Sequence, residues 1–326
     1  MTDRPLLAGL GADALRKSDH RIVITGAGGW IGMATLELLR NSLSPAAFGK
    51  RVCAFGSSAR TLQLRDRTHV LQQPLTSLAN LPSRPTILLH TAFLTKDRAE
   101  WMSELEYIAQ NEAIRATVRT SLDTIGVDRL FLASSGAAYY TDDQSASPAM
   151  RLYGAMKRED ERCFSDWAEQ TNNRAVIGRL FALSGPYINK PETYALASFI
   201  LDAINGRRIR VKATRPVIRG YVAIRELMSL VLALLETRSG IVRFDTGGEA
   251  MELGRAAAIV SEILGGHGAD RATLLTKFCD SYAGDDAVYQ QLLGSVGIQH
   301  VPFRRQVMET AEFLSNDVPT QEALSA

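Results

Sequence analysis

The sequence predicts a doubly wound α/β fold: a parallel sheet with helices on both faces, followed by a smaller, discontinuous C-terminal lobe. Three observations lead there. Short β-branched runs alternate with helix-period segments from residue 21 to about residue 180, the texture of repeated βα units. A glycine-rich turn joins the first of those runs to the first of those helices. The chain has 326 residues and is 46% hydrophobic, enough to bury the core of one wide sheet and a second lobe.

Taken in order, residues 1–20 carry Leu6, Leu7, Leu10 and Leu15 and read as an added amphipathic helix, packing on the fold or on a neighbouring subunit. Arg21-Ile22-Val23-Ile24-Thr25 is the first strand. Gly26-Ala27-Gly28-Gly29-Trp30-Ile31-Gly32 follows at once, and Ile31, Leu36, Leu38 and Leu39 give the next helix. Strand, glycine turn and helix together are the context of a dinucleotide site. There the backbone comes close to a pyrophosphate seated on the helix N-terminus. Thr25, Gly26, Gly29, Trp30, Ile31 and Gly32 form that expected cradle; the alternative is a tight turn with no ligand. Further strands are predicted near 51–55, 68–71 and 86–90, then a long helical segment over 98–125 and a strand at 130–133. A helix follows from Pro148, a residue suited to a first turn, to about residue 169, and a strand over 175–180. Gly185-Pro186-Tyr187-Ile188-Asn189-Lys190-Pro191 is a loop that opens the second lobe. The predicted division is a helical extension at 1–20, a dinucleotide-binding domain at 21–184, and a substrate lobe at 185–326, with 219–245 returning to the sheet.

Tyr153 and Lys157 stand four apart in Leu152-Tyr153-Gly154-Ala155-Met156-Lys157, downstream of Ser134-Ser135. On a helix, positions i and i+4 share a face, so a phenol and an ammonium can converge on one substrate atom. A lysine cation nearby favours the phenolate, and a serine hydroxyl can hold the reacting oxygen beside it. This is equipment for moving a proton on or off an alcohol or carbonyl while a hydride leaves or arrives.

Composition excludes several other classes. A net charge of +2 supplies no basic field for nucleic acid. Cys53, Cys163 and Cys279 are widely separated and read as thiols in a reducing compartment. The five histidines lack metal-ligand spacing, so no metal is expected. The longest apolar run, near 227–235, is too short to span a bilayer, and the N-terminus lacks the order of a signal peptide. A soluble cytoplasmic enzyme is the expectation.

Together these motifs resemble the extended branch of the short-chain dehydrogenases/reductases, the NAD(P)-dependent nucleotide-sugar epimerases, dehydratases and reductases, from about residue 21 to the last helix. The run from Thr25 to Gly32 is similar to that branch's T-G-x-x-G-x-x-G. His90-Thr91-Ala92 resembles its H-x-A beside the cofactor, and Asn111 its helix asparagine. Ser134-Ser135-Gly136-Ala137-Ala138-Tyr139 resembles its S-S-x-x-x-Y, and Arg219-Gly220-Tyr221-Val222 its R-D-F/Y-V. The resemblance implies a Rossmann-type fold with Ser135, Tyr153, Lys157 and Asn111 as catalytic residues, Asn111 supporting a water relay behind Lys157. It places His90, Ala92, Tyr153 and Lys157 at the cofactor, and Phe93, Ser135, Asn189 and Arg219 at the substrate, a nucleotide-diphosphate sugar. A homodimer through the helix ending near 125 and the tyrosine helix is implied too. The second strand ends in Phe55-Gly56-Ser57-Ser58-Ala59-Arg60 with no acid; Ser57, Ser58 and Arg60 suit a 2′-phosphate, so NADP is expected, with NAD as the alternative.

The chain departs from the family pattern at Gln72-Gln73-Pro74, where an aspartate facing the adenine is usual, at Ala182, which replaces an asparagine, and at Glu226, which replaces an aspartate. No second phosphate-binding arginine is evident around Asp280-Ser281-Tyr282. Ser135-Gly136-Ala137 lacks the Asp-Glu pair of dehydratases. The expected reaction is 4-ketosugar reduction, with 4-epimerisation using a retained cofactor close behind. A non-catalytic NADP-binding sensor ranks low, because such proteins commonly lose the Tyr/Lys pair.

Overall fold

The computed structural model describes residues 6–317. Its strands are β1 (Arg21–Thr25), β2 (Val52–Gly56), β3 (Arg60–Gln63), β4 (His69–Pro74), β5 (Thr86–His90), β6 (Val127–Ser135), β7 (Arg174–Leu180), β8 (Ala182–Ser184), β9 (Ile209–Val211), β10 (Val217–Ala223), β11 (Ile241–Asp245), β12 (Glu249–Glu252), β13 (Ala269–Arg271) and β14 (Asp280–Tyr282). Its helices are α1 (Gly9–Lys17), α2 (Trp30–Ser42), α3 (Pro45–Arg51), α4 (Lys96–Ala99), α5 (Glu104–Ser121), α6 (Pro148–Thr171), α7 (Ala195–Ile204), α8 (Ile224–Thr237), α9 (Leu253–Leu264), α10 (Asp286–Ser295) and α11 (Phe303–Asp317).

Eight strands form the main sheet in the order β11-β7-β6-β5-β1-β2-β4-β3, parallel except for the β3–β4 pair. Every residue of β1 and β5 is buried, as expected of central strands covered on both faces. Alternation along β1 sends Ile22 and Ile24 into one core with α2 and α8, and Val23 into the other with α5 and α6, where Val118, Phe164 and Trp167 lie. Arg21 is buried at the start of β1, its guanidinium donating to Thr86 Oγ1 and to the carbonyls of Pro82 and Ile125.

The second lobe has its own core, built from α7, α9 and α11 against a four-stranded sheet in which β10 pairs with β8, β12 and β14. Within the 219–245 segment expected to return to the main sheet, only β11 does so, beside β7. Strand β10 pairs in the lobe instead, and α8 packs its apolar face on the main core. The predicted elements otherwise recur with shifted ends. The long helical segment expected over 98–125 is broken before Glu104, where the Ser103 hydroxyl caps α5 by accepting from the Glu106 N–H. Helix α3 was not anticipated, although Ser44-Pro45 is a cap and first-turn pair. In α1 the residues Ala12 and Leu15 are buried, Leu7 is buried just before it, and Leu6 and Leu10 are half exposed. Residues 1–5 of the expected extension and 318–326 of the expected lobe lie outside the described residues.

Candidate active site

The carboxyl ends of β1, β5, β6 and β7 bring Thr25, His90, Ser135 and Leu180 to one edge of the sheet. A cleft of about 1010 Å³ opens there between the sheet and the second lobe. Ser135, Tyr153 and Lys157 line it together with Phe93 and Arg219.

Tyr153 reaches Ser135 because α6 runs unusually close to the turn after β6. A Cβ on Gly154 would stand 2.2 Å from the Ala137 carbonyl oxygen, so only glycine permits that approach. The helix is started by the Ser147 hydroxyl, which accepts from the Met150 N–H at 3.2 Å. The Ser135 hydroxyl accepts from the Ala137 N–H at 3.2 Å and lies 3.0 Å from the Tyr282 hydroxyl. The neighbouring Ser135 favours the Tyr153 phenolate.

Burial nevertheless governs Tyr153, holding its phenol above the usual tyrosine range, with the neighbouring Tyr282 adding to the rise. The sequence led us to expect Lys157 to draw the phenol down. Instead Lys157 donates to the Ala133 carbonyl at 2.8 Å, and its Nζ lies 3.7 Å from the centre of the Phe93 ring. Phe93 in turn meets Tyr153 edge to face, with ring centres 5.6 Å apart. Burial brings Lys157 down to about 8, against the pull of Asp160 and Glu161.

Asn111 is buried on α5, but its side chain is engaged locally: it accepts from the Leu94 N–H and donates to the Tyr107 carbonyl. The bond to Leu94 ties α5 to the loop after β5. His90 is buried, with Nδ1 2.7 Å from Thr25 Oγ1, and desolvation lowers it to about 3, so it is neutral.

At the nucleotide end, Gly26 has φ +74°, and a Cβ there would meet the Ala92 backbone nitrogen at 2.6 Å. The first turn of α2 has no side-chain cap at Gly29, which leaves its N–H groups open to an anion. Gln72 Oε1 is buried without a partner and faces Gly28. These features fit a dinucleotide. Ser57, Ser58 and Arg60 are exposed; Arg60 begins β3, not a loop, and its guanidinium donates to the Gly28 carbonyl at 3.2 Å. Trp30 lines the cleft, yet its indole N–H donates to the Pro186 carbonyl and its ring meets Tyr194, so it joins the two lobes. Ile31 lines the cleft beside it.

On the substrate side, Asn189 is exposed while its neighbours Ile188 and Lys190 line the cleft. The loop is pinned by the Lys190–Asp97 ion pair. Arg219 faces the cleft from β10 and pairs with Asp280 at 3.1 Å. Sequence reasoning missed Arg215, which lines the same wall and reaches Asp280 at 3.5 Å. It missed Tyr282 as well, placed beside Ser135 by the register of β14 on β10, Arg219 opposite Tyr282. Ser134 turns the other way, donating to Glu161, which Arg179 clasps with two bonds of 2.9 and 2.8 Å.

Residues 22–247 match the family described as the NAD dependent epimerase/dehydratase family. No curated protein matches the sequence significantly. Similar solved structures include a UDP-N-acetylglucosamine 4-epimerase from Methanobrevibacter ruminantium in complex with UDP-N-acetylmuramic acid, 17% identical, covering 92% of this chain and 100% of that one with a TM-score of 0.72. A UDP-glucose 4-epimerase from Thermus thermophilus, in complex with NAD, is 20% identical over 91% of this chain and 100% of that one, with a TM-score of 0.68. One from Thermotoga maritima, with UDP-glucose, is 16% identical over 92% and 100%, with a TM-score of 0.70. At these identities the likeness is one of fold.

Proposed function

The chain belongs to the NAD dependent epimerase/dehydratase family, the extended short-chain dehydrogenase/reductase enzymes, and from that premise we propose that it epimerises a nucleotide-diphosphate sugar at C4 of the hexose. The observation that carries the reading is the meeting of Ser135, Tyr153 and Lys157 in a cleft that Arg215 and Arg219 also line. The similar structures support the substrate class, since those of 4-epimerases carry UDP-sugars or NAD.

A bound nicotinamide would supply a hydride acceptor and, on return, a hydride donor. Ser135 and Tyr153, which line the cleft together, both hold the C4 oxygen. Tyr153 takes the hydroxyl proton as the carbon is oxidised and gives it back as the carbon is reduced from the other face. Because burial holds the phenol high, Tyr153 is the proton donor at rest and needs the cofactor's positive charge to act as a base. Lys157 contributes positive charge beneath the site, and its pKa of about 8 leaves it mostly protonated near neutrality. Arg215 and Arg219 meet the diphosphate, with Asp280 sharing their charge until substrate arrives. The Gly26–Gly32 cradle holds the cofactor pyrophosphate. Dehydration is disfavoured because Gly136 and Ala137 carry no acid or base beside Ser135.

A second reading, reduction of a 4-ketosugar by dissociable NADPH, is favoured by Ser57, Ser58 and Arg60 and by the absence of an acid at the end of β2. Pairing of two copies through α5 and α6 accompanies either reading. The test is to follow UDP-hexoses by NMR with the purified protein and no added cofactor. Formation of the C4 epimer supports the proposal. Turnover only of a 4-ketosugar with NADPH would replace it with reduction, and no conversion under either condition contradicts both.

A further inference from the structure

Tyr282 comes from the second lobe, 147 residues after Ser135, yet its hydroxyl lies 3.0 Å from the Ser135 oxygen. Phe181 packs against its ring at 4.8 Å between centres and Tyr140 at 6.1 Å, and the strand pairing of β14 with β10 fixes its backbone. The position is therefore built and is not a chance approach of a mobile side chain.

A serine hydroxyl has one proton to give and two lone pairs to receive with. The Ala137 N–H occupies one lone pair of Ser135. A phenol is a stronger donor and a weaker acceptor than an aliphatic hydroxyl, so of these two oxygens 3.0 Å apart the Tyr282 hydroxyl is the donor. Burial pushes the Tyr282 phenol up to about 12, so it keeps that proton at every pH at which the enzyme works. Both lone pairs of Ser135 are then filled, and its single proton is left for the cleft that Tyr153 also lines.

We propose that Tyr282 is a positioning residue that sets the direction of the Ser135 hydroxyl, making Ser135 an obligate donor toward Tyr153 and the reacting oxygen. The consequence is one-sided. A Ser135 that must donate stabilises the Tyr153 phenolate and a negatively charged C4 oxygen, whereas one free to turn would also accept from the neutral phenol and stabilise the wrong protonation state. The second lobe thus completes the catalytic hydroxyl of the first. The inference rests on the Ser135/Tyr153 chemistry proposed above, and it adds a residue that this chemistry did not name.

The test is Tyr282→Phe, which removes one oxygen and keeps the ring. In protein saturated with NAD⁺, the ultraviolet phenolate titration of Tyr153 is obtained by subtracting the titration of the matching Tyr153→Phe protein. Tyr282→Phe is expected to move that midpoint to higher pH by about one unit, the size of one lost charge-directed hydrogen bond. Tyr140→Phe, which keeps its ring and removes a hydroxyl of the same wall that donates to the Ser281 carbonyl and not to Ser135, is expected to leave it in place. With a converted nucleotide sugar, kcat is expected to fall about tenfold with KM changed less than about twofold. In a Ser135→Ala background, Tyr282→Phe is expected to cost nothing further. A midpoint that stays or falls, or losses that add in the double variant, would overturn the inference. If the wild type converts no nucleotide sugar, the functional reading fails while the titration still decides the role of Tyr282.

Discussion

Replacing Lys157 with Met is expected to abolish turnover and at the same time to stabilise the fold. Lys157 is 5% exposed, and its ammonium has been taken out of water: the pKa falls from 10.5 to about 8. A drop of that size corresponds to roughly 3 kcal/mol of penalty on the charged form, at 1.36 kcal/mol per unit. Part is given back on removal, because the Ala133 carbonyl loses a donor and Phe93 loses a cation on its face, together about 1–2 kcal/mol. The net expectation is a gain of about 1–2 kcal/mol at pH 7. The sign of its pH dependence follows from linkage. The unfolded chain holds the lysine proton up to 10.5 and the folded one only to about 8, so wild-type stability from this group rises across that interval. The advantage of Lys157→Met should therefore be largest below pH 8 and shrink toward pH 10. Urea unfolding at a series of pH values measures it. A variant less stable than wild type at pH 7, or a gain that does not change between pH 7 and pH 10, would refute the reasoning.

Three other consequences are open to measurement. Gly26→Ala forces a Cβ into the Ala92 backbone at φ +74°. It should cost about 2–3 kcal/mol in thermal or chemical unfolding and weaken cofactor binding by fluorescence titration. Glu226 is fully buried, receives the Val301 N–H and lies 3.2 Å from His300 Nδ1; chiefly that contact raises the histidine's pKa. Its stabilisation is complete below the unfolded value of about 6.5 and fades as pH rises through the higher folded value. Asp286 and Glu249 face the same histidine and act in the same direction. Glu226→Gln should lower stability by about 1 kcal/mol at pH 6 and flatten the melting-temperature profile above it. Arg60→Ala should weaken NADP binding about tenfold and leave NAD unchanged; equal affinities for NADP before and after the change would remove the phosphate argument.

What was legible in the sequence was what neighbouring residues decide. Arg21 to Gly32 reads as strand, turn and helix because β-branched spacing and glycine geometry act locally, and Tyr153 with Lys157 share a face because a helix turn does that wherever it stands. The environment of those groups was not legible. Whether Lys157 meets the Tyr153 phenol or the Ala133 carbonyl depends on Phe93, which arrives from the end of β5. Asn111 was found by its motif, but its partners are set by the path of the loop at Leu94. Tyr282 and Asp280 owe their places to the pairing of β10 with β14, segments about 60 residues apart whose register no local pattern encodes. Strand β10 was assigned to the wrong sheet for the same reason: its apolar run suits a core strand of either lobe, and the choice belongs to its partners β8, β12 and β14. Asn189 was assigned from the loop that holds it; it is exposed, while its neighbours Ile188 and Lys190 line the cleft.

The central claim is that Tyr153 moves the substrate proton. The measurement that tests it most directly is the single-turnover rate of Tyr153→Phe on a nucleotide sugar that the wild type converts, with both proteins matched for bound cofactor. The account predicts a fall of about 10³-fold with cofactor content unchanged; a rate within a few fold of wild type would contradict it.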